Sequence, residues 1–591
     1  MNRGRLWLAL VLAVFCLPLF VGLGRGDVQD DEAIYSFGVD RLLETGDWLA
    51  PKSSPHEEAA FLEKPPLKFW IVAGPIWLGV LPHDEFGLRF WDALFGGIAF
   101  LYVYALGARL AGPVSGGAAV LLLFVHWPLL FEHGLRSNNM EAALFLCYCG
   151  GTFHFLEWAR GSRSSWHPVA VALYFVLGFM TKFVAAVFLP LVFAVATLTL
   201  PAARSRFAAD WRRWAAAGAL ALILIAPWFV YAHVRFGSMF WQIILGQHVY
   251  ARFTSYLDPA HLQPWYYYPH MLYVRLVDAG SHVFALGGLG LLAAHTLWRR
   301  SLDGLVVLLW LLLPVTAISF GTSKLYHYVY PFLPPLALAG GFLAASLLAV
   351  APVPIGRVLR TWTAYSTTRL PGFIAVLRQP AVHGLLLAIG GVAVGIAIVT
   401  LLLGPLRLDL GPLGTFRNSG VLRPSLVAIV FGVLAGAGHG AGRAVAALLV
   451  AAMLPLPVYR ATLARLGTER DPKRAASDCI RFVQAESPGA APGLYLDLPD
   501  RVIGHPLYYY YRRIRPWTRA ESPTPSALGR YLTDPVERRP VLVWEPTYQE
   551  YRRIHGTGAA PAMVTFTDDV LLLLPGPYAV CGPNGRVTSR R

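Results

Sequence analysis

The sequence predicts a mainly α-helical polytopic membrane protein with about thirteen spans, a large first outer loop and a small C-terminal α/β domain. Three observations carry this reading. Of 591 residues, 56% are hydrophobic and only 14% are charged, with a mean hydropathy of +0.50; a soluble domain carries roughly 25% charged residues. Apolar runs approaching the ~20 residues that a spanning helix needs recur along the chain. Arginine gathers in alternate loops between those runs, as the positive-inside rule demands.

The runs fall near 6–23, 86–106, 114–130, 140–158, 168–180, 183–200, 214–230, 283–298, 305–320, 332–350, 385–403, 426–440 and 444–454. The first, "RLWLALVLAVFCLPLFVGL", is longer than a signal-peptide core and no A-x-A site follows it. It reads as an uncleaved span with Arg3 and Arg5 inside. The loops with Arg109, with Arg160 and Arg163, with Arg204, Arg206, Arg212 and Arg213, with Arg299 and Arg300, and with Arg357, Arg360, Arg369 and Arg378 then share the cytoplasmic side. The net charge of +16 belongs to these loops, facing anionic headgroups rather than nucleic acid. Segments 27–85, 131–139, 181–182, 233–282 and 321–331 face outwards, and an odd span count puts the tail 459–591 there too. The stretch 67–81, "LKFWIVAGPIWLGVL", would reverse every later loop if it crossed the membrane. It is also short for a span, so it reads as an interfacial or re-entrant element of the first outer loop.

The chain divides into a membrane domain, 1–458, and the tail. There "GLYLDL", "PVLVWE" and "DVLLLLP" read as strands, and "PKRAASDCIRFVQAE" and "TPSALGRYLTD" as helices. Cys16, Cys147 and Cys149 lie in apolar runs and read as packing residues. Cys479 and Cys581 lie in the tail and can pair if it is extracytoplasmic. Neither a Gly-rich phosphate loop nor an internal repeat is present.

The polar residues that stand out all fall on the outer face: "DDEAIYS", "EKPPLKFW", "GLRSNNMEAAL", "GFMTKFVA", "GQHVYARF" and "SKLYHYVYP". Lys64, Lys68, Lys182 and Lys324 are all outer lysines, against the usual bias, and they call for an anion such as a lipid phosphate. Pro65 and Pro66 fix the backbone beside Glu63 and Lys64, making that pair a rigid phosphate clamp. Lys68 is read as snorkelling from an interfacial helix. Asp31 and Glu141 are candidates for general-base work or for stabilising positive charge on a sugar ring. Asp30 reads equally well as a helix cap, and Asn138 and Asn139 would cap the helix that follows Glu141 more cheaply than Glu141 itself. His248 with Glu63 would complete a divalent-metal site.

In this order, these motifs resemble the GT-C membrane glycosyltransferases, nearest to the bacterial aminoarabinose lipid A transferases and relatives of the protein O-mannosyltransferases. The resemblance covers about 6–350. It implies a GT-C fold in the bacterial inner membrane, with the N-terminus cytoplasmic and the tail periplasmic. It also implies a polyprenyl-phosphate sugar donor, a lipid A-like, glycan or protein acceptor, and inversion at the anomeric carbon. By motif, Asp31 and Glu141 would be catalytic, although an aspartate is usual at the second position. Lys64 and Lys182 would hold the donor phosphate, and Glu63 and His248 a divalent ion. Glu32, Tyr35, Arg136, Arg252, Lys324 and Tyr328 would line the donor or acceptor cavity. "KLYHY" replaces a commoner "KLPTY", a change on the acceptor side. A transporter or flippase of lipid-linked saccharides is the rival reading, but its usual inverted repeat is missing and the polar residues gather on one face. A sensor with a ligand-binding tail would not require the outer lysines.

Overall fold

The computed structural model describes residues 3–52, 60–350 apart from 163, 165, 257 and 258, most of 375–437, and discontinuous segments between 456 and 588. The basic loop with Arg357, Arg360, Arg369 and Arg378, and the run 444–454, lie outside the described residues.

Helices form in the order of the apolar runs. They begin with α1 (Arg3–Val11), which continues through π and 3₁₀ turns to Phe20, and α2 (Asp30–Thr45). Next come α3 (Leu67–Trp77), α4 (Glu85–Ala111), α5 (Pro113–Phe124), α6 (Trp127–Phe131), α7 (Glu141–Ala159), α8 (Trp166–Lys182), α9 (Phe188–Thr199) and α10 (Pro201–Phe236). Later helices include Tyr267–Asp278, His282–Arg299, Leu302–Ser319, Leu333–Val350 and Pro380–Leu403. Among the described residues, six helices are long and apolar enough to cross a membrane: Glu85–Ala111, Trp166–Ala186, Pro201–Phe236, Leu302–Ser319, Tyr326–Ala349 and Pro380–Thr400. Shorter apolar helices, including Leu6–Phe20, Pro113–Phe124 and Phe188–Thr199, accompany them. The run 114–130 is broken because α5 ends at Phe124 and a new helix starts around Pro128, whose ring cannot continue the old one.

The awkward stretch 67–81 is α3, with Pro75 inside it. Its 11 residues reach only ~16 Å, about half of a hydrocarbon core. Backbone N–H groups of Val80 and Leu81 close its end on the Pro75 carbonyl.

Helices α4, α5 and α7 form the centre of the largest apolar core. At Gly116 a Cβ would lie 2.3 Å from the Tyr104 carbonyl, so α4 and α5 touch backbone to backbone, as small residues permit in membrane bundles. Loops assigned to one side meet one another. Arg160 pairs with Asp303, Arg206 donates to the Ser162 carbonyl at 2.9 Å, and Arg109 pairs with Glu157. The outer-loop residues converge at the other end.

In the tail, β1 (Leu494–Asp497), β2 (Trp517–Arg519), β3 (Val541–Trp544), β4 (Ala562–Thr565) and β5 (Val570–Leu574) form a sheet of order β2-β1-β3-β5-β4. Its β2-β1-β3 part is parallel and its β3-β5-β4 part antiparallel. The helix Pro472–Glu486 forms as its sequence predicts; most of "TPSALGRYLTD" lies outside the described residues. Cys479 is disulfide-bonded. The tail packs on segment 27–85. Tyr509 meets Phe37 of α2, Arg474 pairs with Glu85 at 3.0 Å, and the Asp27 carboxylate accepts from the Lys473 and Arg474 N–H groups. Asp27 therefore caps a tail helix from the far side of the chain.

Candidate active site

The site is assembled where the segment before α3, the start of α7, the end of α8 and the segments 242–254 and 321–332 meet, with α2 alongside. They line a cavity of about 170 Å³. Leu144, Phe183, Val184, Phe188, Phe253 and Phe332 give it apolar walls. Among the described residues, its charged lining is Glu63, Lys64, Lys182 and Arg252, three cations against one carboxylate, so it favours an anion.

Lys64 is largely buried, with its Nζ 3.8 Å from the Glu63 carboxylate. Burial first, then Arg252 and Lys182, bring its ammonium down to about 8, against the pull of Glu63 and Asp31. Glu63 is raised by burial, but the hydrogen bond from His248 and the charge of Lys64 outweigh that and hold it at about 2. His248 Nε2 lies 3.2 Å from Glu63 Oε2, and His248 Nδ1 lies 3.4 Å from Arg252. Burial, as the largest cause, lowers the His248 imidazole.

Arg252 donates to the Tyr328 hydroxyl, and both Arg252 and Lys182 lie over the Tyr328 ring, at 5.6 and 5.2 Å. Lys182 pairs with Glu141, and His327 Nε2 lies 3.5 Å from the same Glu141 oxygen. His327 stacks on His133 at 4.7 Å, and His133 Nδ1 faces Asp31 at 3.9 Å. Polar groups thus run from Lys64 to Asp31 around the cavity. Tyr35 completes the ring: burial first, then Asp31, Glu141 and Glu63, hold its phenol well above its ordinary value. Two of the three non-glycine residues with positive φ in the described chain are Phe183, beside Lys182, and His133. Such backbone strain concentrates at functional sites.

Other expected residues lie elsewhere. Lys68 does not snorkel. It is 1% exposed and donates to Asp92 and Asn138, both at 2.8 Å, because α3 turns it into the protein instead of towards water. Glu32 is also buried, bound by Arg89 at 2.6 and 3.0 Å and closing a capping box on α2. Arg89 additionally donates to the Leu23, Arg25, Gly26 and Asp27 carbonyls. Arg136 donates to the Leu19 and Val21 carbonyls and pairs with Glu469 of the tail. Glu32 and Arg136 line a second cavity against the tail, and Lys324 is buried on the Gln263 and Gly321 carbonyls. These three hold structure in place and do not face the lysine-lined cavity. Neither asparagine caps α7: its N-cap is Met140, and Asn138 serves Lys68 instead.

Sequence reasoning missed His133 and His327. His327 lies inside "SKLYHYVYP" and His133 immediately before "GLRSNNMEAAL", and each looked like an ordinary loop histidine. It also missed Arg89 and Asp92, which sit inside a spanning run where an ionisable residue signals a buried partner.

Glu63 and His248 supply a carboxylate and an imidazole side by side on the cavity wall, a donor set that suits a divalent ion. No third His, Cys, Asp or Glu joins them among the described residues. An ion there would complete its shell with water or phosphate oxygens.

A helical membrane bundle with a cation-lined cavity at one end is the class that this fold and site define. The fold is that of ArnT from Cupriavidus metallidurans bound to undecaprenyl phosphate, with a TM-score of 0.58, 17% identity, and coverage of 98% of this chain and 99% of that one. The family described as dolichyl-phosphate-mannose-protein mannosyltransferase matches residues 63–231. An undecaprenyl phosphate-alpha-4-amino-4-deoxy-L-arabinose arabinosyl transferase from Pseudomonas savastanoi pv. phaseolicola is 29% identical, over 60% of this chain and 63% of that protein. One from Pseudomonas aeruginosa (strain UCBPP-PA14) is 27% identical, over 58% and 60%. The matches therefore span somewhat less than two thirds of these relatives. The resemblance to GT-C membrane glycosyltransferases holds in sequence and in fold.

Proposed function

We propose that this chain is an integral-membrane glycosyltransferase of the bacterial inner membrane. It moves a sugar from a polyprenyl-phosphate donor to a lipid A-like, glycan or protein acceptor at the periplasmic face, with inversion. The observation that carries the reading is the convergence of Lys64, Lys182 and Arg252 on one largely apolar cavity. A lipid phosphate needs both features, cations for its head and apolar wall for its chain. The relatives' names point to undecaprenyl phosphate as the carrier.

As the bond from sugar to phosphate breaks, negative charge builds on the leaving oxygen. Lys64, Lys182 and Arg252 are already in place to meet it, which is how preorganised charge lowers a barrier. A bound phosphate favours the charged form of Lys64 further. Tyr328 and Glu141 hold Arg252 and Lys182 in position. Glu63 and His248 would hold a divalent ion, which would add Lewis-acid neutralisation of the phosphate. Asp31 stands on the acceptor side. The finer architecture follows the sequence: about thirteen spans, the N-terminus cytoplasmic, and 459–591 a periplasmic α/β domain packed on the first outer loop.

The test is to incubate the purified protein with labelled undecaprenyl-phosphate sugars, aminoarabinose among them, and a lipid extract. Release of free carrier together with a labelled product is expected. A donor left intact with every sugar would overturn the assignment.

A further inference from the structure

The stacked imidazoles of His133 and His327 join the Asp31 carboxylate to the Glu141–Lys182 pair, and the phosphate chemistry above uses neither ring. His133 holds a strained left-handed backbone, φ 52°. Its Nδ1 is buried and has no hydrogen-bond partner among the described residues, although the Asp31 carboxylate is 3.9 Å away. That gap is too long for a hydrogen bond. It is the span that a single oxygen covers with two bonds of ~2.8 Å meeting near a right angle. A buried nitrogen without a partner calls for one, and this one faces a carboxylate that is partly open to solvent.

We propose that the reacting group of the acceptor is a hydroxyl, seated between Asp31 and His133, and that His133 takes its proton. The inference rests on the glycosyltransferase reading and names the acceptor chemistry of that site. The hydroxyl oxygen forms the new bond to the anomeric carbon as the bond from that carbon to the carrier phosphate breaks. The electron pair of the broken bond leaves on the phosphate oxygen, and the hydroxyl proton passes to His133 Nδ1. Asp31 stabilises the resulting imidazolium and is repulsive to an acceptor that arrives as an anion. The groups facing His133 are Asp31 from α2 and His327 by stacking. Behind His327 stand Glu141 and Lys182, with Arg252 and His261 also close enough to act on it.

The experiment uses the full-length protein in nanodiscs with labelled undecaprenyl-phosphate aminoarabinose and two probe acceptors: an alkyl glucoside offering only hydroxyls, and a glucosamine lipid 1-phosphate whose remaining hydroxyls are blocked. Transfer to the glucoside is expected. His133→Asn keeps a residue that tolerates the left-handed backbone. It should lower kcat by about 10²- to 10⁴-fold and leave the donor KM unchanged. Asp31→Asn provides a second, independent variant and should lower kcat as well. An unchanged rate in His133→Asn, or wild-type transfer to the phosphate probe alone, would overturn the proposal while leaving the glycosyltransferase reading standing. Failure of the wild type to release carrier with either probe, from this donor and from every other undecaprenyl-phosphate sugar, would overturn both.

Discussion

Lys64 and Lys68 lie four residues apart, and their surroundings share almost nothing. Lys68 belongs to a closed network: it meets Asp92 and Asn138, Asn138 N–H donates to Glu32, and Glu32 binds Arg89. Arg89 in turn spreads its remaining donors over four backbone carbonyls. Lys64 belongs to an open one, in which three cations surround empty volume and its nearest carboxylate is shared with His248. The first network is nearly complete without a ligand, leaving only Asp92 Oδ1 without a hydrogen-bond partner among the described residues, and the second is not. In a low-dielectric protein the closed network specifies the fold, while the open one is poised for a partner.

The comparison is broken most forcefully at Lys68. Lys68→Ala strands the buried Asp92 carboxylate and should cost about 3–5 kcal/mol of unfolding free energy in detergent. Adding Asp92→Ala to that variant should restore most of the loss, because the cost lies in the uncompensated charge. If Lys68→Ala melts like the wild type, the closed network is not structural.

The next largest effect is on activity. Glu141→Gln and Asp31→Asn should express and fold normally and lose at least about tenfold in transfer, since each removes a charge facing the cavity or its acceptor edge. Wild-type turnover in either variant would return that residue to a helix-terminal role. A pH series sharpens the contrast further. Lys64 is held at about 8, below its ordinary 10.5, so a bound phosphate favours the protonated form. Carrier affinity should be level at lower pH and fall once pH rises through about 8, by at most about tenfold per unit. The sign for folding is opposite: a buried ammonium weighs against the folded state at neutral pH, and this penalty is relieved as pH rises from about 8 towards 10.5. A carrier affinity that climbs with pH would contradict the clamp. The smallest effect is expected at the arginine-rich end. Arg160, whose side chain is 43% exposed, pairs there with Asp303, and Arg160→Ala should shift unfolding by about 0–1 kcal/mol.

The sequence made the open network more legible than the closed one. Outer lysines run against the positive-inside bias, so Lys64 and Lys182 drew notice at once, and paired prolines marked the backbone beside Lys64 as rigid. Lys68 read as a snorkelling interfacial lysine, because its burial depends on Asp92, 24 residues away. Glu32 and Arg136 were expected to line the donor or acceptor cavity, but their partners, Arg89 and Glu469, lie 57 and 333 residues distant. Long-range pairing of this kind leaves no periodicity to read. The alternating arginine loops, by contrast, rest on a rule about the whole chain, and the ends they predict to be neighbours do meet, as in Arg160 with Asp303. The short run 67–81 reads as interfacial or re-entrant from loop sidedness and length, and it forms a helix of only 11 residues.

The most direct test of the account is the binding of undecaprenyl phosphate to the wild type and to Lys64→Ala, in nanodiscs at pH 7. A charge-assisted contact to phosphate is worth roughly 1.5–3 kcal/mol, so Lys64→Ala should weaken binding about tenfold to a hundredfold while its melting temperature stays at the wild-type value. Equal affinity in the two proteins would mean that Lys64 does not meet the carrier phosphate, and the cavity would lose its assigned ligand.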